Sequence, residues 1–471
     1  MLLIYGFCHF SQKMLSAGLK FKGEANKRAM AMLNKKEDKD ETVLGQLTDY
    51  SVLDEYKVSA EGDAPPEPIT DWTSFSSEIQ ESLKACGYEK PTPIQKYAIS
   101  CFRNNRPLLA ISPTGSGKTL GYALPLLDAL KDNDTKDLQA VILVPTRELA
   151  SQVYRQFKKF SGPLESKVQQ LRKHRGFPKC QIIIATPKRL TEFSSKLSTV
   201  KYLVLDEADY LLSHSFVKQT DDVLQNLPKE GVYYSLFTAT MTPKVEDTAR
   251  SFMFNPVRIQ VGDKHAIAAN IDQELKFVGT EKGKVVELKQ RIQSGTIGLP
   301  CIIFVMNRQR AYDLSQELGY PSAVLTSDEN DTERASAIRR IRTGEVQFLI
   351  TTDLGGRGID LAALKTVVNF DMPADTTTYI HRIGRTARAG RAGKAITLFT
   401  EDDMPNMRPV AIVMKSHGYD VDEYMLKPVD KKHRGARALF EPQQRKAISS
   451  KVWSKAKVRV PKGNPQQQDG E

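Results

Sequence analysis

Eight consecutive residues, Ser112-Pro-Thr-Gly-Ser-Gly-Lys-Thr119, have the composition needed to hold a chain of phosphates. Phosphate oxygens require several backbone N–H donors at close range, and glycines at 115 and 117 permit the sharp turn that supplies them. Thr114, Gly115, Ser116 and Gly117 would form the cradle. Lys118 offers a charge to the terminal phosphates, and Thr119 a hydroxyl to Mg²⁺. The strict pattern opens on glycine where this chain has Ser112, and a glycine-rich structural turn is the competing reading. Further on, the apolar run before Asp206-Glu207-Ala-Asp209 ends in acids. An acidic cluster alone reads as a solvated face. At the end of a strand that follows a phosphate loop, Asp206 belongs beside the Mg²⁺ and Glu207 where it can orient or deprotonate an attacking water.

These groups converge only if regular elements carry them to one edge. Short β-branched apolar runs at Leu108–Ser112, Ala140–Val144, Ile182–Thr186, Tyr202–Asp206 and Ser235–Thr238 alternate with longer helical patterns. Continuous apolar runs separated by helices are the pattern of parallel strands buried on both faces. Residues 263–272 have no strong period and read as a hinge. The alternation then restarts at Cys301–Val305, Ala323–Leu325, Phe348–Thr352, Val367–Phe370 and Ile396–Phe399. The expected fold is therefore α/β: two tandem, mostly parallel sheets with helices on both faces, and ligands at the carboxyl ends of the strands. The divisions are an N-terminal extension (1–63, closed by the proline-rich Ala64–Pro68), a first domain (64–262), a linker (263–272), a second domain (273–426) and a tail (427–471).

The net charge of +12 is unevenly placed. Residues 427–462 hold 12 Lys/Arg against two acids, Asp430 and Glu441, giving +10 and leaving +2 for the rest. A basic tail with Trp453 among its lysines reads as a nucleic-acid arm, disordered when free, that adds salt-sensitive and sequence-independent affinity. A solvated charge run and a nuclear-import address are the other readings. No run approaches the ~18 apolar residues of a membrane span. Met1–Phe10 lacks a preceding basic region, so no signal peptide is expected, and Met14 stands as an alternative start. Five scattered cysteines without a CxxC pair fit a reducing compartment and offer no metal site.

With these residues in place, the chain resembles the DEAD-box RNA helicases, a branch of superfamily 2, over roughly residues 68–425. Gly87-Tyr-Glu-Lys-Pro-Thr-Pro-Ile-Gln95 resembles the adenine-reading Q motif. Pro145-Thr-Arg-Glu-Leu-Ala150 and Thr186-Pro-Lys-Arg189 resemble the first-domain RNA-backbone motifs, without the family's Gly-Gly pair between them. Phe237-Thr238-Ala-Thr240 stands where the family has Ser-Ala-Thr. Arg334 matches the arginine of the QxxR element, with Asp331 in place of its glutamine. Thr352-Asp-Leu-Gly-Gly-Arg357-Gly-Ile-Asp360 resembles motif V. His381-Arg-Ile-Gly-Arg385-Thr-Ala-Arg388 resembles motif VI, with Ala387 where glycine is usual.

The resemblance implies two tandem RecA-like domains and an ATP- and Mg²⁺-dependent RNA helicase. It implies that Gln95 contacts the adenine edge, with Trp72 or Phe75 as the stacking ring, and that Asp360 reaches the ribose. Arg147, Thr186, Arg189, Arg334 and Thr352 would face RNA. Thr238, Thr240, His381 and Arg382 would couple RNA to hydrolysis, and Arg385 and Arg388 would stabilise charge on the transferring phosphoryl group. RNA bound across both domains would favour their closure and make hydrolysis RNA-dependent. An RNA clamp with little turnover and a DNA-directed motor are the alternatives. Gly393–Asp403, Val410–Leu426, Leu15–Phe21 and the Lys in Thr186-Pro-Lys-Arg resemble the branch that assembles the small ribosomal subunit. That branch implies pre-rRNA as the RNA, a protein cofactor in a pre-ribosomal particle and a nucleolar location. The chain is expected to be monomeric and without a membrane partner.

Overall fold

The computed structural model describes residues 56–427, apart from 132–134, 136, 173–175, 214–215, 263–269, 327–328, 357–360, 362–363 and 388–391. The tail, the branch-specific segment Leu15–Phe21 and most of the hinge lie outside the described residues.

The first sheet contains β1 (Val58–Glu61), β2 (Leu108–Ile111), β3 (Ala140–Leu143), β4 (Val168–Gln170), β5 (Ile182–Ala185), β6 (Tyr202–Asp206), β7 (Tyr233–Thr238) and β8 (Val257–Val261). Their order is β1-β8-β2-β7-β6-β3-β5-β4. Every pairing is parallel except β1 on β8. The second sheet contains β9 (Ile271–Phe277), β10 (Cys301–Phe304), β11 (Ser322–Leu325), β12 (Phe348–Thr351), β13 (Thr366–Asn369) and β14 (Gly393–Phe399), in the order β11-β12-β10-β13-β14-β9 and parallel throughout.

The two-residue period of a strand explains the continuous apolar runs. In β10, Ile302 and Phe304 enter one core cluster, while Cys301 and Ile303 enter the cluster on the opposite face. Both faces being covered, no polar residue is admitted between them. All ten strands expected from apolar runs are present. The four not expected, β1, β4, β8 and β9, lie at or beside sheet edges, where Gln169, Gln170, Arg258, Asp272 and Glu274 can reach solvent and break the apolar pattern. Two of them alter the expected divisions. β1 lies ahead of residue 64 yet pairs with the first sheet, and β9 begins at Ile271, inside the stretch read as linker. No described helix is long and apolar enough to cross a membrane.

Candidate active site and RNA-facing edge

Because the strands of each sheet run parallel, β1 excepted, the chain leaves them on one side. β2, β7 and β6 deliver the phosphate loop, Thr238 and Asp206. Their neighbours β3, β5 and β4 deliver Arg147, Thr186 and the segment after Gln170. Nucleotide chemistry and the expected RNA contacts thus occupy adjoining lengths of one edge.

The phosphate loop lies between β2 and the helix Lys118–Leu130. Gly115 (φ +81°) and Gly117 (φ +86°) are left-handed, and a Cβ at 117 would fall 2.4 Å from Gln95 Nε2. Lys118 Nζ donates to the carbonyls of Ser112 (2.8 Å) and Pro113 (3.0 Å). Burial pulls its pKa down, against the upward pull of Glu207, Asp206 and Asp209. Ser112, the departure from the strict pattern, has its Oγ 2.8 Å from the Ser116 hydroxyl, so its side chain ties the loop across its base. Gln95 is occupied here as well. Its Nε2 donates to Gly117 O (2.9 Å), and its Oε1 accepts from Thr92 N (2.8 Å). The amide expected at the adenine edge is buried and braces the loop against the N-terminus of the helix Pro93–Arg103. Trp72 and Phe75 are both buried and pack on each other, with Arg103 over Phe75.

Asp206 ends β6 and accepts from Tyr122 Oη (2.8 Å) and from Glu207 N (3.0 Å). Burial, and then the charge of Glu207, push its carboxyl up to about 6. Glu207 has φ +56°, a left-handed conformation that is strained for a side chain of this size and that occurs at functional positions. Burial raises its pKa, but His381, Arg385 and Lys118 outweigh that and hold it well below the usual carboxylate range. It is therefore ionised at neutral pH.

The second domain reaches this acid pair through the helix Thr376–Ile383, capped by Asp375, which accepts from Thr378 N at 2.7 Å. His381 Nε2 lies 2.8 Å from Asp209 Oδ2, and its Nδ1 lies 3.3 Å from Glu207 Oε2. Burial lowers the imidazole's pKa, but the two carboxylates push it up to about 9. Asp209 Oδ2 also accepts from the Thr240 hydroxyl, and Thr238 Oγ1 donates to Thr240 O (2.8 Å). Thr238, Thr240, Asp209 and His381 therefore form one hydrogen-bonded line between the domains. Asp209 was not among the expected site residues, although it is the third acid of the motif that revealed Asp206.

Arg385 Nη2 is 3.9 Å from Glu207 Oε1, and its Nε donates to His381 O (3.1 Å). Arg382, expected to couple the domains, points inward instead. It grips Asp353 through Nε (2.5 Å) and Nη2 (2.8 Å) and donates to Asp371 O (2.7 Å), so it secures the helix that presents His381. Gly384 packs so closely on the phosphate loop that an added Cβ would lie 2.4 Å from Thr114 Oγ1.

Of the residues expected at RNA, Arg147 is exposed at the first turn of the helix Arg147–Ser161, which Thr146 caps by accepting from Leu149 N (3.2 Å). Thr186 precedes the short helix Pro187–Leu190, and Arg189 lies over the Phe193 ring and pairs with Glu192. Thr352 follows β12, and its hydroxyl accepts from Gly355 N (3.3 Å). Arg334 is buried and bonds Glu148 of the first domain at 2.5 Å, with further donation to Thr326 O and Gly355 O. It bridges the two edges expected to face RNA instead of standing free toward a phosphate. Asp360 and Arg388 lie outside the described residues.

A phosphate loop and acid pair on one parallel sheet, met by a histidine and arginine from a second, define a two-domain nucleotide-dependent enzyme of the RecA-like type. The chain belongs to the DEAD-box family of ATP-dependent RNA helicases. The family description "DEAD/DEAH box helicase" matches residues 92–248, and "Helicase conserved C-terminal domain" matches residues 283–390. The chain is 39% identical over 401 residues to ATP-dependent RNA helicase ROK1 of Saccharomyces cerevisiae, covering 79% of this chain and 71% of that protein. It is 36% identical over 416 residues to DEAD-box ATP-dependent RNA helicase 57 of Arabidopsis thaliana, covering 84% and 76%. Its fold is similar to that of S. cerevisiae Dbp5 bound to RNA and ADP BeF3, with TM-score 0.67, 29% identity and coverage of 74% of this chain and 93% of that one.

Proposed function

We propose that the chain is an RNA-stimulated ATPase that separates short RNA duplexes locally or remodels ribonucleoprotein contacts. The carrying observation is His381 bonded at once to Asp209 and Glu207, because it makes the hydrolytic acid part of the contact between the domains. Glu207, ionised and fixed by its left-handed backbone, serves to orient or deprotonate the attacking water. Lys118 and the loop amides hold the phosphates, and Arg385 faces the charge that develops in transfer. Arg147, Thr186, Arg189 and Thr352 are assigned to the RNA backbone. Arg334 acts beside them by joining the domains.

Asp206 and Thr119 suit Mg²⁺. Asp206 is a buried carboxylate with two hydrogen bonds and, among the described residues, no ion-pair partner. A hard cation supplies the missing charge and neutralises phosphate oxygens when bound.

The sequence match to the small-subunit assembly branch, together with the likeness to ROK1, supports pre-rRNA as the RNA and the nucleolus as the site of action. The basic tail would add loose attraction. The test is ATP turnover with and without single-stranded RNA. Stimulation of tenfold or more is expected, and no turnover in either condition by folded protein overturns the proposal. The second reading, a clamp with little turnover, is favoured by Ala387 at φ +54°, a left-handed position where the family usually has glycine.

A further inference from the structure

Beside Arg147 and Arg189 the first domain has a cleft of about 250 Å³, lined by Tyr154, Gln169, Gln170, Arg172, Gly176 and Pro178. Gln169 and Gln170 end β4 and Arg172 follows it, within the stretch between Ala150 and Thr186 that lacks the family's Gly-Gly pair. The cleft is joined to both neighbouring RNA-facing elements. Gln170 Nε2 donates to Ser151 Oγ (2.9 Å) and Arg147 O (3.4 Å), and Arg189 Nε donates to Arg172 O (3.3 Å). A strand lying along Arg147 and Arg189 would therefore pass its mouth.

The lining differs from that of a phosphate groove. The Gln170 amide is taken up by Ser151 and Arg147, and the amide of Gln169, the guanidinium of Arg172 and the phenol ring of Tyr154 are the groups that read an unpaired base by its edge and stack on its face. Arginine pairs with the N7/O6 edge of guanine and glutamine with the N6/N7 edge of adenine, so both favour a purine through N7. The Lys158 ammonium, paired with Glu165, lies over the Tyr154 ring at 5.4 Å.

We propose that this cleft is a purine-reading subsite, giving a base preference at one position of an otherwise backbone-bound strand. The inference rests on the RNA-binding reading above, and the experiment separates the two. Binding of the full chain to a twelve-residue oligouridine is compared with binding to the same oligomer carrying one adenine or guanine at each position in turn, with a non-hydrolysable ATP analogue present. The expected result is a purine preference of about tenfold at one position, which Arg172→Ala and Tyr154→Ala each reduce to under twofold while oligouridine binding holds within twofold. Lack of purine preference in the unaltered chain overturns the subsite alone. So does Arg172→Ala weakening every oligomer equally with a shallower salt dependence, since that is a phosphate contact. Failure of the unaltered chain to bind oligouridine at all overturns the RNA reading as well.

Discussion

The two domains bring different materials to the same reaction. The first presents backbone: Gly115, Gly117 and Glu207 are all left-handed, and the strand ends place N–H groups and acids where phosphates would lie. The second presents side chains braced by a buried ionic network. Lys284, fully buried, lies 3.2 Å from Asp403, 3.0 Å from Glu281 and 3.6 Å from Asp371. Arg310 bonds Asp371 (2.6 Å) and Glu281 (2.6 Å), and the Asp371 carbonyl accepts from Arg382 beneath His381. A holding surface must come close to its ligand, which side chains would prevent. A reaching surface must keep its charges aimed while separate from its partner, which packing alone does not do.

The largest expected effect tests the holding side. Glu207→Gln should lower RNA-stimulated hydrolysis by about 10²-fold or more, the usual range for a lost general base. ATP-dependent RNA binding should be retained, because the amide keeps the shape of the site. Unchanged turnover would favour the clamp. The bracing side is tested by Lys284→Ala, which removes a fully buried positive charge that faces three carboxylates. Urea unfolding should show the second domain weakened by about 3–5 kcal/mol with the first unaffected, and uniform weakening of both would contradict the contrast.

Gly384→Ala probes where the two surfaces meet. The methyl group would lie against Thr114, so coupled turnover should fall about tenfold, an estimate from the ~1.4 kcal/mol per decade of rate, while each domain keeps its stability. Retained activity would show that the loop yields. The smallest effect is a pH dependence. Apart from the first domain, His381 should titrate near the ordinary ~6.5. Closed against Asp209 and Glu207, with Arg385 and Lys118 nearby, it is pushed up to about 9. The pKa is raised on closure, so the contact is fully present below 6.5 and lost as pH rises through 9. RNA affinity with an ATP analogue bound should fall across that window, and His381→Gln should flatten the profile.

The interior of both sheets was legible in the sequence because strands covered on two faces must be apolar throughout. Strands at or beside an edge were less so, since β9 (Ile271–Phe277) and β8 (Val257–Val261) carry polar residues within their runs. The site divided similarly. Lys118, Asp206, Glu207 and His381 announce their chemistry by residue type and spacing. What Gln95 and Arg382 contact could not be read, because a buried amide or guanidinium is claimed by whichever carbonyl the fold brings near. Apart from Thr92, which caps the helix of Gln95, the partners Gly117, Asp353 and Asp371 lie on other elements, and only packing joins them.

The four residues of β1 carry a practical consequence for making this protein. They cover the outer side of β8, whose Val257, Ile259 and Val261 are buried, and Glu61 pairs with Arg258 at 3.5 Å. A chain trimmed to residue 64, where the prolines suggest a natural cut, would bare the ladder of β8. Such an edge is a template for pairing with another copy. Light scattering should find the version starting at 56 dispersed and the version starting at 64 self-associating, which makes a short outer strand the guardian of solubility during production.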